Sequence, residues 1–322
     1  METSRKVIGI GESILDILFR HGQPEAAVHG GSSFNSIVSV GRAGVPCTFV
    51  GYTGADNVGR QTADFLRNNG IGTDFFQLRH GLKSAVSLAF LAENGDADYS
   101  FYKEEPDAGS SWSLPDVSRG DIILFGSYYA ASHGMRPLIA DALEKAALSG
   151  GIAFYDVNFR PSHQDELQGL MPNILANFSR STIVRGSTED FEVMFRARDA
   201  RNIYIRYIRP YCPYFILTAG ADDITVCTPE ATYRFEVPEV HGVVSTVGAG
   251  DSFNAGIACA LIWQGIMPED IPNLSQEAWQ RLVGTACLFA SETCRSKENY
   301  INNEKDTLHL NSLGTRFQLP RR

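Results

Sequence analysis

The chain of 322 residues has no run of eighteen apolar residues, so no transmembrane helix is expected. Residues 1–6 lead straight into the strand-like Val7-Ile8-Gly9-Ile10 without an apolar signal segment, and the expected location is cytoplasmic. The six cysteines (Cys47, Cys212, Cys227, Cys259, Cys287, Cys294) form no Cys-x-x-Cys pair and mostly sit in apolar runs. They read as buried free thiols, which excludes a disulfide framework or a zinc site. Basic charge is scarce too: 28 Lys and Arg stand against 37 Asp and Glu, a net charge of −9. Nucleic acid and anionic membranes both require a basic face, so neither is expected as a partner. No Gly-x-x-x-x-Gly-Lys-Ser/Thr loop occurs, Gly9-x-Gly11 lacks the third glycine of a dinucleotide fingerprint, and the protein-kinase motif set is missing. There are no internal repeats and no low-complexity tracts.

What is present is ordinary globular material, 43% apolar and 20% charged, enough for one large α/β domain or two smaller ones. Residues 7–11 and 14–19 are β-prone runs separated by Glu12-Ser13. Residues 34–43 have helical spacing and stop at Gly44 and Pro46. A strand is predicted at 47–51, a helix ending near Asn69-Gly70, and a hairpin over 84–103 turning at Asn94-Gly95. From 121 onward strands at 122–125, 152–157, 183–184 and 214–218 alternate with helices, a pattern that argues for a parallel sheet covered on both faces. Ligands of such sheets bind at the carboxyl ends of the strands.

One stretch carries chemistry. Ser245-Thr246-Val247-Gly248-Ala249-Gly250-Asp251 follows the apolar segment 241–244 and opens a helix with apolar residues at Phe253, Ile257, Ala260 and Leu261. The unpaired N–H groups and positive dipole end of a helix N-terminus hold anions, and Gly248 and Gly250 allow close backbone approach. Asp251 beside an anion site repels the anion. It is either a helix cap or a general base that takes a proton from a hydroxyl attacking a phosphate.

This stretch resembles the C-terminal signature of the ribokinase-like (PfkB) family of sugar kinases, and Gly30-Gly31-Ser32-Ser33-Phe34-Asn35 resembles the family's upstream Gly-Gly-x-x-x-Asn element. The similarity runs from about residue 7 to 295. It implies a ribokinase-like three-layer α/β/α sandwich, a single domain over 1–322 with a mainly parallel sheet and a small β lid formed by about 12–30 and 84–106. The polar stretch 297–322 reads as a surface tail.

The resemblance also implies roles. Asp16, which from its position is either on a wet strand face or aimed at a ligand, becomes a sugar ligand together with Gly31 and Asn35. Gly54-x-Asp56-x-x-Gly59 matches a family landmark in which Asp56 reads as a turn and capping residue. Asp156-Val157-Asn158-Phe159-Arg160 is either a turn network or, as in fructokinases and 2-keto-3-deoxygluconate kinases, a ligand segment, with Asn158 near phosphates and Arg160 near an anionic or transferring group. The Leu-Trp that follows in the family is replaced by Ser162-His163. Ser187 and Asp190 take the places of the family's Asn-x-x-Glu, an element associated with nucleotide and hydrated magnesium, which implies Ser187 at the ATP and Asp190 holding magnesium through water. Thr218 and Gly220 resemble the nucleotide-pocket Thr-x-Gly, with Asp223 in place of the second glycine. Ser245 replaces an Asp that in relatives helps bind a monovalent cation, which argues against potassium activation here.

The reading that results is an ATP- and magnesium-dependent sugar kinase. Asp251 is the base, and Gly248, Ala249 and Gly250 supply N–H donors to the transferring phosphoryl group. Fructose is the first expected acceptor, 2-keto-3-deoxygluconate or ribose the alternative, and a homodimer through the lid edge is possible. A sugar-binding regulatory relative without catalysis is the competing class.

Overall fold

The computed structural model describes residues 4–91, 97–104 and 111–302. In chain order these form β1 (Val7–Ile10), β2 (Ile14–Arg20), β3 (Gln23–Gly30), α1 (Ser32–Arg42), β4 (Cys47–Gly54), α2 (Asn57–Asn68), β5 (Phe76–Arg79), β6 (Val86–Leu91) and β7 (Ala97–Tyr102). There follow β8 (Ile122–Gly126), α3 (Ser127–Ala131), α4 (Arg136–Ser149), β9 (Ile152–Asp156), α5 (Leu167–Arg180), β10 (Ile183–Ser187), α6 (Thr188–Phe195) and α7 (Ala200–Ile203). The last are β11 (Phe215–Thr218), β12 (Ile224–Cys227), β13 (Thr232–Phe235), α8 (Ala249–Trp263) and α9 (Gln276–Cys294).

A nine-stranded sheet runs β13-β12-β11-β10-β9-β8-β1-β4-β5. It is parallel from β11 to β5, and β12 and β13 are added antiparallel at one edge. Side chains alternate across a strand, so the apolar runs feed two separate cores. In β8, Ile122 and Leu124 join the core under α1, α8 and α9, while Ile123 and Phe125 join the one under α3, α4 and α5. β9 repeats the division, with Ile152 and Phe154 on one side and Ala153 and Tyr155 on the other. This is the three-layer α/β/α sandwich expected from the sequence.

A second, four-stranded sheet, β3-β2-β6-β7, forms the lid. The break at Glu12-Ser13 is where the chain leaves β1 in the large sheet for β2 in the small one. Asp56 caps α2 through the Gly59 N–H (3.0 Å) and also accepts from the N–H (2.9 Å) and hydroxyl (2.7 Å) of Ser84, two residues before β6. Its expected capping role is therefore widened: the same carboxylate clasps the root of the lid. The Asn94-Gly95 turn lies outside the described residues.

The apolar segment 241–244 is an exposed loop, with Val243 and Val244 each more than half exposed. One expectation is corrected. The first residues of the expected surface tail are part of the core: Tyr300 and Ile301 are 2% and 1% exposed. The cause is Arg42, whose buried guanidinium donates to Glu298, to the Ile301 carbonyl (2.7 Å) and to Asn69 (2.7 Å), and lies 4.6 Å over the Tyr300 ring. Residues 303–322 lie outside the described part.

Candidate active site

The first turns of α1 and α8 meet, and Asp251 lies where they do. Gly31, at φ 122°, precedes α1, and a Cβ there would run into the Glu12 carbonyl. Gly248, at φ 79°, precedes α8 and is seated on the main chain of Asn299, leaving no room for a side chain. Ser32 donates to one oxygen of Asp251 (2.8 Å) and Asn35 to the other (2.8 Å); the Ser36 hydroxyl donates to the Asp251 carbonyl (2.9 Å). Two residues expected in separate roles, Asn35 and Asp251, are thus direct partners, and Asn35 Oδ1 stays buried with no partner. Burial pushes the Asp251 carboxyl up to about 6 from 3.8, although Asn35, Ser32 and the nearby Arg160 favour its charge.

At the start of α8, the Ser252 N–H donates to the Gly248 carbonyl (2.8 Å) and the Ala249 N–H to the Thr246 carbonyl (3.2 Å). Among the described residues no acceptor faces the N–H groups of Gly250 and Asp251. The first turn therefore offers free donors at Gly250 and Asp251, whereas that of Ala249, expected to share this task, is turned into its own loop. Ser245 accepts from the Val247 N–H (3.2 Å).

Asp16, on β2, stands against Gly30: a Cβ on Gly30 would be 2.6 Å from an Asp16 oxygen and 3.7 Å from the Asn299 amide nitrogen. Ser87 of β6 donates to Asp16, and burial with the nearby Glu12 pushes its carboxyl up to about 6. The lid's Lys103 pairs with Glu12 (3.5 Å) and lies 5.1 Å from the Tyr128 ring centre.

The carboxyl ends of β9, β10 and β11 carry a third group. Arg185 of β10, 8% exposed at its side chain, donates to Asp156 (2.9 Å) and to the Thr218 hydroxyl (2.6 Å). Asn254 of α8 donates to the other oxygen of Asp156 (2.8 Å). Ser187 and Asp190 form a reciprocal capping box at the start of α6, and Asp190 also accepts from the Phe159 N–H (2.9 Å). Burial and the neighbouring Asp156 push the Asp190 carboxyl up to about 6. Asn158 takes φ 35°, the left-handed region that Asn tolerates better than most residues, where the chain turns off β9. Arg160 is exposed; Gly220, at φ 61°, has open space where a Cβ would stand.

The sequence reading passed over Ser32, Asp156 as a partner, Arg185, Asn254 and Asn299. A usable signal existed for Arg185, a charge inside the apolar run of a central strand. For the others, contacts such as Ser32 with Asp251 and Asn254 with Asp156, 219 and 98 residues apart, are invisible to local pattern.

The family model for pfkB family carbohydrate kinases matches residues 19–305. The aminoimidazole riboside kinase of Salmonella typhimurium is 28% identical over 267 residues, 81% of this chain and 82% of that protein. A fructokinase of Rhizobium leguminosarum bv. trifolii is 26% identical over 282 residues, 84% of this chain and 85% of its own. Among solved structures, the Salmonella enterica aminoimidazole riboside kinase in complex with aminoimidazole riboside and an ATP analog superposes with a TM-score of 0.79 at 23% identity, covering 96% of this chain and all of that one. Vibrio cholerae fructokinase with fructose, ADP and calcium bound gives 0.79 at 19%, covering 92% and 94%. With two helix N-termini meeting at Asp251, a β lid rooted beside them, and a family match across most of its length, the chain belongs to the PfkB family of carbohydrate kinases.

Proposed function

We propose that this kinase phosphorylates a primary hydroxyl of a neutral monosaccharide, fructose first, with Asp251 as general base. The observation that carries this reading is the Asp251 carboxyl, buried where the first turns of α1 and α8 meet and held by Ser32 and Asn35; burial also pushes it up to about 6. A base whose pKa lies near the working pH combines the correct charge state with proton affinity. Ser32 and Asn35 each bond one of its oxygens and fix the plane of the carboxylate, leaving a lone pair on each oxygen to accept a proton.

Asp16, Gly31 and the free Asn35 Oδ1 would bind the other hydroxyls of the acceptor. The Gly250 and Asp251 N–H groups, with the α8 dipole behind them, would receive charge that develops on the transferring phosphoryl group, helped by Arg160 from the solvent side. Asn158, Ser187, Thr218 and Gly220, together with Gly248 and the Ala249 turn, would line the nucleotide side. Asp190 is the carboxylate this reading puts beside a magnesium ion carried in on the phosphates; its two oxygens already accept from the Phe159 and Ser187 N–H groups, so it would reach the ion through a water. Bound magnesium supplies neutralisation of phosphate charge. Closure of the lid over the acceptor would exclude water as a competing acceptor.

The choice of a neutral sugar over a sugar acid is supported by Lys103. This lid cation is paired with Glu12 at 3.5 Å, a partner with which a substrate carboxylate would have to compete. A riboside acceptor is the second reading, favoured by the likeness to aminoimidazole riboside kinase and by the Tyr52 and Trp112 rings, 5.7 Å apart, near Tyr129. We further propose pairing of two lids, for which the exposed Phe90 and Tyr102 on β6 and β7 provide apolar surface; sedimentation at micromolar concentration, with Tyr102→Glu as the monomer control, tests it.

The assay is ADP release from magnesium-ATP with fructose, ribose, aminoimidazole riboside and 2-keto-3-deoxygluconate, with potassium or with sodium. Fructose is expected to give the highest kcat/KM. The monovalent ion is expected to change turnover by less than about two-fold, because the hydroxyl of Ser245 brings no charge to a cation. Turnover only with the riboside would replace the acceptor assignment, and turnover only with the sugar acid would refute the argument from Lys103.

A further inference from the structure

Arg185 is a buried cation placed under the positive end of a helix. On Gly250, in the first turn of α8, a Cβ would stand 3.1 and 3.3 Å from the two terminal nitrogens of Arg185, and the Phe253 ring centre is 5.9 Å from the guanidinium. The helix dipole opposes a cation there, and burial opposes any charge. Asp156 answers that charge directly, with Asp190 and Asp251 adding to the field. Charged pairs of this kind can often be replaced by apolar residues of similar volume without loss of fold stability, so cohesion alone is a weak reason for one here. The Nε–H is moreover buried with no partner.

The contact with Thr218 gives the group a use. Arg185 donates to the Thr218 hydroxyl oxygen, so the hydroxyl hydrogen must point to another acceptor, and none is offered by the described residues. Through Asp156 the same guanidinium is tied to Asn254, one helical turn beyond Gly250. One side chain thereby sets both the direction of a donor on β11 and the position of the first turn of α8.

We propose that Arg185 is a positioning residue for phosphoryl transfer: it aims the Thr218 hydroxyl and fixes the α8 N-terminus on the anionic groups of the phosphoryl donor. The assignment rests on the reading of α8 as the phosphoryl-binding end. Arg185→Lys keeps the charge and loses the fork that reaches both partners. It is expected to lower kcat by about 10- to 100-fold and raise the KM for ATP, with the KM for the acceptor unchanged. Thr218→Val is expected to produce a loss of the same kind, and the double variant to be no worse than the poorer single one, because both remove one arrangement.

Arg185→Met combined with Asp156→Leu removes both charges; it is expected to fold and to bind a non-hydrolysable ATP analog more weakly by calorimetry. Wild-type kinetics in Arg185→Lys would overturn the proposal. So would losses that multiply in the double variant, equal loss in every kinetic constant alongside a lowered melting temperature, or failure of Arg185→Lys to fold. Retained turnover in Asp251→Asn would instead strike at the underlying reading of α8, which keeps the two failures distinct.

Discussion

Asp251→Asn is expected to cost catalysis and gain stability. The folded carboxyl titrates at about 6 against 3.8 as its ordinary value. The sign follows from linkage: the folded state holds this proton more tightly than the unfolded state, so stability falls as pH rises from about 4 to about 6, and above that the whole penalty is in force. Two pH units at about 1.4 kcal/mol each make it about 3 kcal/mol at neutral pH. An asparagine of the same shape carries no charge to desolvate. Its oxygen can keep the Asn35 bond, and its NH2 can face Ser32, whose hydroxyl rotates to accept.

The variant should therefore melt about 5 °C higher at pH 7.5, and the gain should shrink toward pH 4. Without a proton acceptor, kcat should fall by about 10²- to 10⁴-fold, while calorimetry with an ATP analog shows nearly unchanged affinity. Turnover within ten-fold of wild type would refute the base assignment, and a lower melting temperature would refute the burial argument.

The remaining predictions concern titration and backbone. In the wild type, kcat should fall on the acid side with a midpoint near 6, and the KM for the acceptor should rise over the same range as Asp16 gains its proton; a midpoint near 4 would show both carboxyls to be unperturbed. Gly248→Ala combines a positive φ with a collision against the Asn299 main chain. It should abolish turnover while leaving the far-UV spectrum intact, a result checked by circular dichroism beside the kinetic assay. Asp56 is held near 2 by its bonds to Ser84 and Gly59, so its contribution is present above about 4 and disappears as pH falls through about 2. Asp56→Ala should cost about 1 kcal/mol in a urea titration at pH 7 and very little at pH 2.

Much of the architecture was legible because it is written in local pattern. The alternation of apolar runs with helical spacing from residue 121 gave the layered sheet, and Glu12-Ser13 marked the step between sheets. The glycines at 30, 31, 248 and 250 located both helix starts. Composition failed at 297–302, where Asn299 and Asn302 make the stretch look like solvent-facing chain, although its fate is decided by Arg42, more than 250 residues earlier. It failed again at Arg185, whose partners Asp156 and Thr218 come from neighbouring strands 29 and 33 residues away. Pairing across a parallel sheet depends on register between strands far apart in the chain, and no local period encodes it.

The seat of Gly248 on Asn299 sets an order of events during synthesis. The loop that opens α8 is made about fifty residues before the main chain that supports it, an interval of several seconds at about 5–20 residues per second. Until Tyr300 and Ile301 have emerged and docked on Arg42, the turn that opens α8 has no floor, even though every motif of the candidate site has already been translated. A nascent chain of this protein thus completes the seat of Gly248 only once α9 and the residues just beyond it have been made.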